Sequence, residues 1–185
     1  MAYTATLTRK AVRDALRSVL SNATTGFNQR LSDIASTYGI VAPAIDWGPG
    51  SKSVYFAYID SSDIAKTQLD ITGDDVNSGT LCLLIYTKTA DQTRQMKPRT
   101  FSGEITAYLD FYLYRRTGIS TEVDDIESYA DAIEDAAATC LENPQAAWPA
   151  GVTYRKFTCV LQPVELLSDG YRRVIPMECA FFVNA

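Results

Sequence analysis

The chain has 185 residues, of which 46% are hydrophobic and 21% charged, with a net charge of −5 and no histidine. Such a chain is long enough to fold around its own core without disulfide or metal staples. Its acidic balance argues against a general nucleic-acid binder, which needs a basic excess to neutralise phosphates. The missing histidine excludes Ser-His and Cys-His nucleophilic catalysis and removes the commonest metal ligand.

The opening stretch MAYTATLTRK shows no apolar leader, and no run approaches the length of a membrane span, so neither a signal peptide nor a membrane segment is expected. Thr8 is placed to cap a first helix reaching Ser21, with Val12, Leu16, Val19 and Leu20 on one face and Arg9, Lys10, Arg13 and Arg17 on the other. A second helix is expected from Asn28 to Tyr38, turning Leu31, Ile34 and Ala35 inward, with Gly39 at its C′ position. Asn22-Ala23-Thr24 matches a glycosylation sequon that no secretion signal supports.

Trp47-Gly48-Pro49-Gly50 reads as a turn and Val54–Ile59 as a strand. The polar, acidic stretch 60–79 reads as a loop. Its segment Asp70-Ile71-Thr72-Gly73-Asp74-Asp75 lacks the spacing and the closing glutamate of a calcium loop. Leu81–Thr87 is a continuous apolar run suited to a strand covered on both faces. Residues 88–101 change character: Lys88, Arg94, Lys97 and Arg99 stand against one acid, Asp91, in a connection too long for a simple hairpin. This segment reads as a flexible surface loop or as a docking arm, the second with Met96 or Phe101 as its apolar anchor.

Ser102–Arg115 alternates cleanly. Ile105, Ala107, Leu109, Phe111 and Leu113 share one face; Glu104, Thr106, Tyr108, Asp110, Tyr112 and Tyr114 share the other. Tyrosine offers rigid contact area at low entropic cost, so Tyr108, Tyr112 and Tyr114 are candidates for a subunit interface. The main helix is expected from Glu122 to Glu142, capped by Thr121 or Ser120 and ended at Asn143-Pro144. Val123, Ile126, Ala130, Ile133, Ala137 and Cys140 form its apolar stripe. Asp124, Asp125, Glu127, Asp131, Glu134 and Asp135 surround that stripe, and no basic residue lies between Arg116 and Arg155. This acidic surface is a candidate for a subunit contact or a channel wall. Two closing strands are expected, Val152–Gln162 with Phe157, Cys159 and Leu161 inward, and Tyr171–Val183 with Ile175, Met177, Cys179, Phe181 and Val183 inward. They are joined by Leu167-Ser168-Asp169-Gly170.

These elements make one α+β domain, a mostly antiparallel sheet with one long helix packed on it and N-terminal helices. No catalytic, metal or cofactor residues stand out. Ser51-Lys52-Ser53 lacks the context of a Ser-Lys dyad. No glycine-rich phosphate loop occurs. Cys82, Cys140, Cys159 and Cys179 match no zinc spacing and read as buried free thiols.

The order of elements resembles that of the tail terminator, or tail completion, proteins of long-tailed bacteriophages: an amphipathic helix (Thr8–Ser21), a strand-rich middle (Val54–Arg115), one long helix (Glu122–Glu142) and a closing strand pair. The ending Gly170-Tyr171-Arg172-Arg173-Val174-Ile175-Pro176-Met177 is similar to that of such virion proteins. The helix at Asn28–Tyr38 and the 60–79 loop depart from that pattern. The resemblance implies a homo-oligomer, a hexameric ring assembled in the host cytoplasm onto the tail. The ring would sit on the last tail tube protein ring, meet the head-completion or connector protein, and let DNA pass without sequence-specific binding. Another neck ring protein, or an enzyme with a carboxylate site, is the alternative.

Overall fold

The computed structural model describes residues 4–48, 54–55, 80–87, 102–116, 124–143, 146, 148–166 and 170–184. They form helices α1 (Thr4–Leu20), α2 (Phe27–Ala35) and α3 (Asp124–Leu141). The strands are β1 (Val54–Tyr55), β2 (Thr80–Thr87), β3 (Ser102–Arg116), β4 (Val152–Cys159), β5 (Glu165–Leu166) and β6 (Gly170–Asn184). The class is α+β with a mostly antiparallel sheet, as the pattern of runs predicts. The sheet order is β1-β2-β3-β6-β4, with β5 also on β6, and only β1 and β2 pair in parallel.

The sheet is built around its two longest strands. β3 and β6 pair antiparallel from Ser102↔Asn184 to Arg116↔Gly170. The last strand therefore enters between β3 and β4 instead of lying at an edge. The alternation of β3 holds in three dimensions: Ile105, Ala107, Leu109, Phe111 and Leu113 are buried on the helix side. β6 adds Ile175, Met177, Cys179, Phe181 and Val183 to the same side. α1 lies over β2 and β3, α3 over β6 and β4, and α2 packs against α3. Phe27 of α2 reaches the sheet and stacks on Phe111, ring centroids 5.0 Å apart. Val12, Leu16, Val19 and Leu20 of α1 face this core, as do Ile126, Ala130, Ile133, Ala137 and Cys140 of α3. Burial of these side chains supplies the main driving force, at about 25 cal/mol per Å² of apolar area removed from water.

Several boundaries differ from the sequence reading. α1 starts at Thr4, so Thr8 lies within the helix and does not cap it. No helix breaker precedes Thr8, and Ala5 and Leu7 are good helix formers. α2 ends at Ala35, three residues before the expected Tyr38, and a turn then closes at Gly39: Gly39 has φ +67°, its N–H donates to the Ser36 carbonyl, and the Ile40 N–H donates to the Ala35 carbonyl at 3.1 Å. Gly26 precedes α2 where an added Cβ would lie 2.3 Å from the Asn22 carbonyl oxygen, so no side chain fits.

β4 ends at Cys159, three residues short of the expected Gln162. The Gln162 N–H still donates to the Val174 carbonyl at 3.3 Å. Pro163 brings no donor to the ladder, and pairing resumes as the short β5. A register shift between Tyr154 and Lys156 makes Arg155 an extra residue. Before it, Val152 and Tyr154 face the core; after it, Phe157 and Cys159 do. The Arg155 guanidinium carbon lies 5.3 Å from the centre of the Phe182 ring. The four cysteines are free, three buried and Cys159 half-buried.

The strand expected at Val54–Ile59 is described only at Val54–Tyr55, and the 60–79 loop lies outside the described residues. Among the described residues, no helix is long and apolar enough to cross a membrane.

Candidate interaction surface

The sheet has a second face, opposite the helices. Register fixes its rows. Tyr112 sits between Cys82 and Val174, Asp110 between Leu84 and Pro176, and Tyr108 between Tyr86 and Glu178. The rings of Tyr86 and Tyr108 stack with centroids 5.1 Å apart and planes 14° from parallel, as cross-strand aromatic pairs do. Of the expected interface tyrosines, Tyr108 and Tyr112 are half-buried, whereas Tyr114 is buried.

The centre of this face is Asp110. It is 9% exposed, and the Tyr86 hydroxyl bonds to its carboxylate. Among the described residues its Oδ1 has no hydrogen-bond partner. Burial disfavours the charged form and raises the pKa from 3.8 to about 6, although the Tyr86 bond pulls the other way. Burial, together with the charge of Asp110 and the bond to it, pushes the Tyr86 hydroxyl well above its ordinary range. Tyr108 is raised too, first by burial and then by Glu178 and Asp110, and it shares a hydrogen bond with Glu178. Glu178 itself is exposed.

The acidic surface of α3 is partly neutralised by distant residues. Glu127 receives a hydrogen bond from Nη2 of Arg173 at 2.8 Å, an ion pair whose arginine is 7% exposed on the helix side of β6. Asp135 accepts from the Tyr38 hydroxyl, which raises that phenol to about 12. Glu134 bonds with the thiol of Cys159, which is pushed up to about 12, chiefly by burial. Asp131 is exposed. Asp124 and Asp125 open the helix, and the described side chains begin at Ile126. Among the described residues only Glu127 thus gains a cation, while Asp135 and Glu134 gain neutral donors from Tyr38, after α2, and Cys159 on β4.

On the basic side, Arg13 donates to Thr87 Oγ1 at 3.1 Å and Arg17 to the Trp47 carbonyl at 3.2 Å. Both are tied to their own chain. Lys88, Arg94, Met96, Lys97, Arg99 and Phe101 all lie outside the described residues. Among the described residues, no group of three or more acids and cysteines is arranged to hold a metal.

Sequence reasoning placed Asp110 on the tyrosine face without singling it out. Its signal is one acid amid apolar and aromatic positions of a strand that register carries into the middle of the sheet. Neither a family model nor a curated protein matches the chain.

Proposed function

We propose that this chain is a structural subunit of a tailed-phage virion. It would form a ring at the head-proximal end of the tail that ends tube growth and joins the tail to the head-completion protein. The assembly part of this reading rests on one observation: the sheet face opposite the helices joins half-buried tyrosines to a buried, incompletely bonded Asp110. Tyrosine-rich surfaces suit protein contact, and a buried polar atom left unsatisfied is a cost that a partner can relieve. The ring, its hexameric order and its place at the neck come from the resemblance in element order, which α1, β2–β3, α3 and β4–β6 follow in sequence. In a closed ring each subunit offers two different surfaces to its neighbours. The tyrosine face and the α3 surface lie on opposite sides of the sheet and fit that requirement.

The test is genetic and visual. In the phage encoding the chain, a null allele should give unjoined tails of uncontrolled length, and gold-labelled antibody should mark the head-proximal tail end. Normal joined tails without the protein would reject the reading.

A carboxylate enzyme is the second reading, favoured because Asp110 is a buried acid poised near pH 6. It predicts turnover of a small molecule that is lost in Asp110→Asn, whereas the assembly reading predicts none.

A further inference from the structure

Asp110 has one carboxylate oxygen engaged by Tyr86 and one, Oδ1, with no donor. An ionised oxygen without a donor, enclosed in the sheet, is costly. Beside it lies the flat Tyr86–Tyr108 pair, and beyond Tyr108 the exposed Glu178 carboxylate adds a second negative charge at the rim. Among the described residues the nearby basic groups do not complete the site: Arg172 is engaged by Glu165 through Nε at 2.9 Å, and Lys156 lies on β4, two strands from Asp110.

We infer that this face is a receptor for the guanidinium group of an arginine carried by a partner protein chain. A planar guanidinium can stack on tyrosine rings while its N–H groups donate to a carboxylate. An ammonium group satisfies only the second demand. Glu178 draws the cation to the rim, Tyr108 and Tyr86 offer the stacking surface, and Oδ1 of Asp110 accepts the charge-assisted bond. Oδ1 is sealed from solvent, so entry requires the side chains that cover it to move. The inference deepens the assembly reading and rests on it for the source of the arginine.

The probe is a single-arginine peptide, acetyl-Gly-Arg-Gly-amide, titrated onto the full chain while the ring signals of Tyr86 and Tyr108 are followed by NMR. Citrulline and lysine peptides serve as the neutral and ammonium counterparts. The expected result is saturable shifts with the arginine peptide, weakened about tenfold in Asp110→Asn, as loss of a charge-assisted bond implies. No saturable shift is expected with citrulline, and weaker binding with lysine.

The wild type near pH 5 provides a second arm that needs no variant. The titratable groups facing Asp110 are Cys82 and Tyr86 from β2, Tyr108 and Tyr112 from β3, and Glu178 from β6. Protonation of Asp110 below its pKa of about 6 removes the acceptor charge, so arginine binding should fall there as it does in the variant. Unchanged affinity in Asp110→Asn and near pH 5, equal binding of citrulline or lysine, or no shift at all would each overturn the inference. The peptide experiment uses the chain alone. Its failure would leave the ring proposal standing, and micrographs without a ring would leave a positive titration standing.

Discussion

The two faces of the sheet treat charge in opposite ways. On the helix side, the one charged residue buried among the described strands, Arg173, donates through Nη2 to Glu127 at 2.8 Å while its Nε has no partner among the described residues, and Ile105, Leu109, Phe111, Ile175, Met177 and Phe181 on that side are apolar. On the other side, the buried charge is Asp110, one of whose oxygens is unanswered. The first arrangement gives a buried guanidinium a carboxylate partner that reaches solvent, since the Glu127 side chain is 51% exposed. The second leaves a defect where an apolar residue would have served stability better.

The largest expected effect lies on the helix side. Phe111 is fully buried and stacked on Phe27, the contact that ties α2 to the sheet. Phe111→Ala should cost about 3–5 kcal/mol in urea denaturation, from lost burial plus the cavity left behind. A loss under about 1 kcal/mol would mean that this face is not the core, and the contrast between the faces would collapse.

Asp110→Asn should act with the opposite sign. The folded pKa of Asp110 is raised from 3.8 to about 6. The folded state therefore holds the proton more tightly than the unfolded one. The stability contributed by this proton is complete below about pH 4 and is lost as pH climbs through about 6. The difference between variant and wild type isolates this group from the other carboxylates. By pH 7.5 the asparagine variant should be more stable by about 2 kcal/mol, the order of a two-unit shift in a largely buried group. The advantage should vanish near pH 4. A pH-independent difference would show that Asp110 is not a strained charge.

How much of this was legible in advance follows from what each feature depends on. The faces of β3, the stripe of α3 from Ile126 to Cys140 and the turn at Gly39 are local periodicities or single-residue geometries, and the structure reproduces them; Val123, the first position expected in that stripe, lies outside the described residues. β4 is the instructive exception. One period-2 register cannot serve it, because the extra residue Arg155 switches the inward set from Val152 and Tyr154 to Phe157 and Cys159. The Glu127–Arg173 pair and the enclosure of Asp110 were not legible. Both depend on β6 entering beside β3, a pairing across some 60 residues of chain that no local pattern dictates. The basic segment from Lys88 to Arg99 lies outside the described residues.

The smallest expected effect tests where the second face changes from interior to rim. Glu178 is exposed and bonds with Tyr108, which stacks on Tyr86 one row from Asp110. Glu178→Gln keeps an acceptor for the tyrosine hydroxyl and removes only a solvated charge. Folding stability at neutral pH should change by no more than about 0.5 kcal/mol, as exposed substitutions away from buried networks do. A loss of about 2 kcal/mol would instead mean that the carboxylate is part of the same closed network as Asp110. The face would then lack the open rim through which a partner side chain can reach the tyrosines.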